Sequence, residues 1–184
     1  QTQVAGRVMV ATATYIYSGT VNQATGNILP ATLTGTGKLT IANTGTSGNN
    51  TVTLTTTGTT TPQLNLTSGL FAIGTGQTLN ITSGGTVNAT SGDFATGTTG
   101  GTLNFPGSGT FTGNSNPYNV YASGGVNFGT TTTIQNGGTF RINAGGFANT
   151  NGPAYSSGSN LQYNGGGSPT PYDRGVEWNA SSGK

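Results

Sequence analysis

The chain has 184 residues, 30% of them hydrophobic and only 4% charged, with a formal net charge of +2, 34 Gly, 7 Pro and neither Cys nor His. Lack of both residues excludes Ser/His and Cys/His catalysis, thiolate metal sites and disulfides, and it suits a chain exposed to oxidising surroundings. Arg7, Lys38, Arg141, Arg174 and Lys184 are scattered rather than clustered, against the basic patch of a nucleic-acid binder, and no run approaches the roughly 18 apolar residues of a membrane span.

Thr, Gly, Asn and Ser make up the polar fraction. Disordered chains are usually rich in charge, whereas β-branched Thr favours strands and Gly and Asn favour turns. The expectation is an all-β chain of short strands. Gln1 in place of Met implies that a signal peptide or larger precursor has been cut away upstream.

In chain order, "RVMVATATYIYSGT" (7 to 20) is a long alternating stretch, with Val8, Val10 and Ile16 on one side. The loop "VNQATGNILPAT" (21 to 32) follows. From residue 38, apolar positions recur in three sets at intervals of about 23 to 25 residues. The first runs "KLTI" (38 to 41), "QLNL" (63 to 66), "TVNA" (86 to 89), "GTFT" (109 to 112) and "TTIQ" (132 to 135). The second runs "TVTL" (51 to 54), "TLNI" (78 to 81), "TLNF" (102 to 105) and "GVNF" (125 to 128). Phe71, Phe94, Val120 and Phe140 form a looser third.

Strands of three to five residues cannot bury an apolar face alone. Stacking each on its equivalent one turn later gives parallel ladders roughly 4.8 Å apart around a continuous core. The spacing therefore predicts a right-handed parallel β-solenoid, a β-helix with three short strands per rung of about 23 to 24 residues. An antiparallel β-sandwich also fits the turn spacing but does not require the recurrence. In the solenoid, Leu79, Ile81, Leu103, Phe105, Val126 and Phe128 point inward, while Asn80, Asn104 and Asn127 line one outer face. The division expected is 1–37 as a cap or module joint, 38–150 as solenoid rungs and 151–184 as a loop-rich cap or joint. "YIY" (15 to 17) and "LQY" (161 to 163) bracket about six rungs if they are equivalent.

The elements "YIYSGT" (15 to 20), "TGN" (25 to 27), "LPAT" (29 to 32) and "KLTIANTG" (38 to 45), with "GSNLQYNGGG" (158 to 167) and "YDRGVEW" (172 to 178), resemble a Thr/Gly-rich repeat module of very long Bacteroidota cell-surface proteins. The resemblance covers most of the chain and lacks the C-terminal sorting domain of that family. It implies export by the type-nine secretion route and a place in an extracellular adhesin or surface filament, such as those of biofilms. It also implies that these residues are one segment of a longer chain.

Chemistry-bearing residues are sparse. Asp173, Arg174 and Glu177 cluster in "YDRGVE". A glycosidase needs two carboxylates held on either side of a sugar, and Asp93 is about 80 residues away. The simpler reading is an Arg174 neutralised by its two neighbours at a joint. Calcium-binding β-rolls place Asp in each turn, a pattern missing here. "GGGSP" (165 to 169) lacks the Lys and helix of a phosphate loop. An ice-binding face would need Thr-x-Thr on each rung, whereas "TLNIT" and "GVNFG" place Asn there. Asn-x-Thr/Ser sequences at Asn49, Asn65, Asn80, Asn88 and Asn179 reflect composition in a bacterial chain. Tyr172 and Trp178 are the aromatics expected to contact a glycan or a neighbouring module.

The reading from sequence is a non-enzymatic structural segment of an extracellular bacterial filament or adhesin stalk, without cofactor. Its partners would be neighbouring copies or modules and surface glycans, with no nucleic acid and no membrane span. The runner-up is a secreted subunit that polymerises end to end, Val8, Val10 and Ile16 lying in the strand added to a neighbour. A polysaccharide-binding or polysaccharide-cleaving β-helix comes third.

Overall fold

A computed structural model describes residues 9–97, 101–165 and 176–177. The described chain is a β-solenoid of about six turns in which each strand pairing is parallel. Besides strands it holds one short 3-10 turn, Gly26–Ile28. The antiparallel sandwich is thereby excluded.

Each coil visits three faces. The first face begins with Thr14–Gly19 and Lys38–Asn43, continues through the second halves of the long strands Thr59–Ser68 and Thr78–Ala89, and ends with Gly109–Gly113, Gly125–Asn127 and Phe147–Ala148. The second stacks Gln23–Ala24, Thr51–Leu54, Leu70–Ile73 and Asp93–Phe94, and later Thr133–Ile134 on Ala154–Tyr155. The third takes the first halves of the two long strands, then Thr102–Phe105, Asn119–Ala122, Thr139–Asn143 and Asn160–Asn164. Thr59–Ser68 and Thr78–Ala89 thus turn a corner without a break, and the register shifts between Thr61 and Gln63 where they do.

Side-chain alternation sorts the sequence as its pattern demands. Leu39, Ile41, Leu64, Leu66, Leu79, Ile81, Leu103, Phe105, Val126 and Phe128 are all fully buried. At two of the corners only Gly fits: Gly69 and Gly113 have φ of 75° and 78°, and a Cβ on Gly113 would lie 1.7 Å from the Ala89 carbonyl oxygen.

The ladders differ from the uniform repeat in a specific way. "KLTI", "QLNL", "TVNA" and "GTFT" stack in that order on the first face, with cross-coil hydrogen bonds spanning 25, 23 and 24 residues. The next coil contracts to 17 residues, bringing Val120 over Leu103, Val126 over Gly109 and Thr132 against Ser115. From there a fixed period points to the wrong face. "GVNF" follows "GTFT" on the first face instead of "TLNF" on the third, and "TTIQ" belongs to the second face. Asn127 therefore does not share a face with Asn80 and Asn104. "TVTL" lies under Leu70–Ile73 on the second face, not under "TLNI". Phe71 and Phe94 do stack, as do Val120 and Phe140, but on different faces.

The ladder is also longer than residues 38–150, since Thr14–Gly19 pairs with Lys38–Asn43 and Asn160–Asn164 with Thr139–Asn143. The first strand covers only Thr14–Gly19, with a turn at residues 11–13, and does not extend back to Met9 and Val10. "YIY" lies on the first face and "LQY" on the third, so the two are not equivalent.

A column of rings fills the core where the coil is shortest. Ring centroids of Phe105 and Phe111 are 5.4 Å apart, those of Phe111 and Phe128 5.1 Å, and those of Phe128 and Phe140 4.8 Å. Phe128, with ring contacts on both sides, cannot be removed without a cavity that the stacked backbones prevent from collapsing. Phe128→Ala is expected to cost about 3–5 kcal/mol in denaturant unfolding, and a cost under about 1 kcal/mol would show that the column is dispensable.

Candidate functional site

Outward positions repeat from coil to coil, so like side chains meet like. On the first face Asn65 Nδ2 donates to the Thr40 hydroxyl (3.3 Å), Asn88 Nδ2 to Asn65 Oδ1 (3.0 Å), and the Thr112 hydroxyl to Asn88 Oδ1 (2.6 Å). On the third face Asn104 donates to Asn80 (2.8 Å) and Asn164 to Asn143 (3.2 Å), and elsewhere Asn151 donates to Asn127 (3.2 Å). An amide suits such a row because it carries both donor and acceptor and no charge to repel its neighbour. On the third face Arg141 lies over the Tyr121 ring, its Cζ 4.9 Å from the centroid.

Both described carboxylates face backbone. Asp93 accepts from its neighbour Phe94 N–H (2.7 Å) and, one coil on, from Asn116 N–H (2.7 Å) and Asn116 Nδ2 (2.5 Å). Gln135 Nε2 extends this corner by donating to the carbonyls of Asn116 and Ala95. Glu177 is wholly buried at the last coil. Its Oε1 accepts from Ala148 N–H (3.1 Å), its Oε2 from the Tyr163 hydroxyl (3.0 Å), and its carbonyl oxygen from the Tyr155 hydroxyl (2.9 Å). Those three donors come from the first, third and second faces respectively, so one residue ties together the end of all three ladders.

The opposite end is different. Thr14–Gly19 pairs on one edge with Lys38–Asn43, and no described strand pairs with its other edge. Met9, Val10, Ile16 and Val21 are exposed there, Ile16 by 60% and Val21 by 61%. Beside them a concavity of about 530 Å³ is lined by residues including Tyr15, Tyr17, Gln23, Thr25 and Ile28.

Of the residues singled out from sequence, Val10 and Ile16 are at this open end. Glu177 is at the closed one, with its carboxylate turned inside rather than displayed to a glycan. Val8, Tyr172, Asp173, Arg174 and Trp178 lie outside the described residues. Sequence reasoning missed the bridging role of Asp93, which an acidic side chain in an otherwise uncharged rung does signal. Among the described residues no group of three or more Asp or Glu is placed to hold a metal ion, and no helix is long and apolar enough to cross a membrane. The chain matches no protein-family model, and no curated protein or solved structure is significantly similar to it.

Two outcomes follow from this geometry. Asn88→Ala removes two cross-coil hydrogen bonds and should cost about 1 kcal/mol in unfolding free energy. Asn88→Asp, which sets a carboxylate against Asn65 Oδ1, should cost more at neutral pH, the excess shrinking on acidification; equal costs at all pH values would show that the row contributes no directional bonding. The second concerns Tyr17, whose hydroxyl donates to Thr25 C=O (3.1 Å) and whose pKa is pushed up to about 12 by burial, with a smaller contribution from Tyr15. An unfolded Tyr ionises near 10.0, so the stabilisation is intact below that pH and is lost as pH rises toward about 12. Tyr17→Phe should flatten this alkaline limb of the stability profile; an unchanged limb would assign it elsewhere.

Proposed function

We propose that the chain is a non-catalytic structural segment of an extracellular bacterial surface filament or adhesin stalk, exported as the Bacteroidota proteins it resembles are. The observation carrying this reading is the unbroken parallel ladder from Thr14 to Asn164, whose outward side chains bond to one another along the axis. Each added coil lengthens such a body by roughly 4.8 Å without changing its cross-section, which is what a spacer needs. Neutral Asn and Thr rows keep the rod insensitive to salt, since few charges are available to be screened. Weak contacts repeated along many units would supply adhesion to surface glycans by avidity.

The outer edge of Thr14–Gly19, which pairs with no described strand and carries the exposed Ile16, favours a second reading in which the chain joins a neighbouring copy end to end by strand addition.

Immunogold electron microscopy of the producing cells, using antibody raised against the folded chain, tests the stalk reading. Label along thin fibres outside the envelope is the expected outcome. Label confined to the cytoplasm would overturn it.

A further inference from the structure

The two ends of the ladder are chemically unequal, and the difference is concentrated in one side chain. In a parallel ladder successive residues present their backbone groups alternately to the coil before and the coil after. At the last coil of the first face, Phe147 N–H donates back to Gly124 C=O (3.3 Å) and Asn149 N–H back to Val126 C=O (2.7 Å). Ala148 N–H, between them, faces forward, where the carbonyl of a further strand would accept it. Glu177 Oε1 stands there instead, at 3.1 Å. Gly152 is what lets this segment approach: a Cβ at that position would lie 1.8 Å from the Val176 carbonyl oxygen. With Tyr163 and Tyr155 also donating to Glu177, the residue occupies the seat of a next strand and closes the end.

At the first coil, Lys38 N–H donates to Ala13 C=O (3.2 Å) and Thr44 N–H to Gly19 C=O (2.7 Å). Odd-numbered residues therefore serve the second coil, and the N–H and C=O of Ile16 face the edge that no described strand pairs. The open first-face strand of one copy matches the first-face edge that Glu177 covers in another, with Tyr15 and Tyr17 facing the core side in line with Val126 and Ala148.

We infer that Glu177 is a clasp that stands in for a strand, and that withdrawing it opens a seat for Thr14–Gly19 of a second copy, making end-to-end joining a controlled step. The joining half deepens the strand-addition reading and rests on it; the clasp half does not.

The test uses the full chain and two readouts, amide hydrogen exchange at Ala148 and self-association by sedimentation. In Glu177→Ala, Ala148 protection is expected to fall at least about tenfold, the loss of a charge-assisted bond, and the chain is expected to associate in proportion to its concentration. Glu177→Gln keeps an acceptor for Ala148 and should retain most of the protection, which serves if the Ala variant folds poorly. Adding Ile16→Pro to Glu177→Ala removes the outward N–H of the first strand without touching its bonds to the second coil, and should abolish association. Unchanged Ala148 protection in Glu177→Ala, or lost protection in Glu177→Gln equal to that in the Ala variant, overturns the clasp. Lost protection without association, or association that survives Ile16→Pro, overturns the joining step and with it the strand-addition reading, while leaving the stalk reading intact.

Discussion

Backbone amides and carbonyls along one coil find their partners only in the coils before and after, and the rest of the molecule follows from that dependence. A strand of two to six residues is too short to hold its shape alone. Once its polar groups must meet those of an equivalent strand roughly 4.8 Å away, each outward residue is brought against the residue one coil earlier. Repeated charges at that distance would repel, and repeated amides bond, as Thr40, Asn65, Asn88 and Thr112 do. Low charge and abundant Asn and Thr are thus conditions of the stack as much as features of its surface.

The core obeys the same constraint from inside. Inward side chains also stack on their equivalents, so ring meets ring from Phe105 through Phe111 and Phe128 to Phe140. What the ladder does not constrain is the length of the connections at the corners. These lie outside the core and absorb change, from the long loop holding Gly26–Ile28 in the first coil to the 17-residue coil that brings Thr132 to Ser115. Stacking is preserved while the period is not.

Termination is the difficulty such a stack creates, because an outermost coil offers backbone groups on one side that no further strand meets. Carboxylates suit that vacancy, as two oxygens can accept from several backbone N–H groups at once. Asp93 takes two backbone N–H groups between coils, those of Phe94 and Asn116, and Glu177 takes one, that of Ala148, together with the Tyr163 hydroxyl. Rare acidic residues therefore complete the backbone network where regular strand cannot. The tyrosines around Glu177 share that role: the Tyr155 hydroxyl is buried, and its ionisation is suppressed first by desolvation and then by the negative groups of Tyr163 and Glu177.

Much of this was legible beforehand. Alternation of Leu, Val, Ile and Phe with Thr and Asn identified the inward residues, because side-chain direction in a strand has a period of two whatever lies beside it. Recurrence at about 23 residues identified the parallel solenoid, since only a coil returns a strand to its own equivalent. On the first face, which strand lies on which was readable as far as Phe111, after which a single contraction reassigns every later strand; "TVTL" was misplaced earlier, under "TLNI" instead of Leu70–Ile73, because register depends on the total length of three connections. From sequence, Glu177 was one of two acids set beside Arg174 at a joint; its burial was not legible, because it depends on Ala148, Tyr155 and Tyr163 arriving together at one end of the stack. The sequence by itself determined the local conformation and the inside and outside of each strand, which are set by neighbours along the chain. Only the tertiary structure decided the order of the ladders and the closing of their end, because those depend on distances between residues that the chain brings together only after folding.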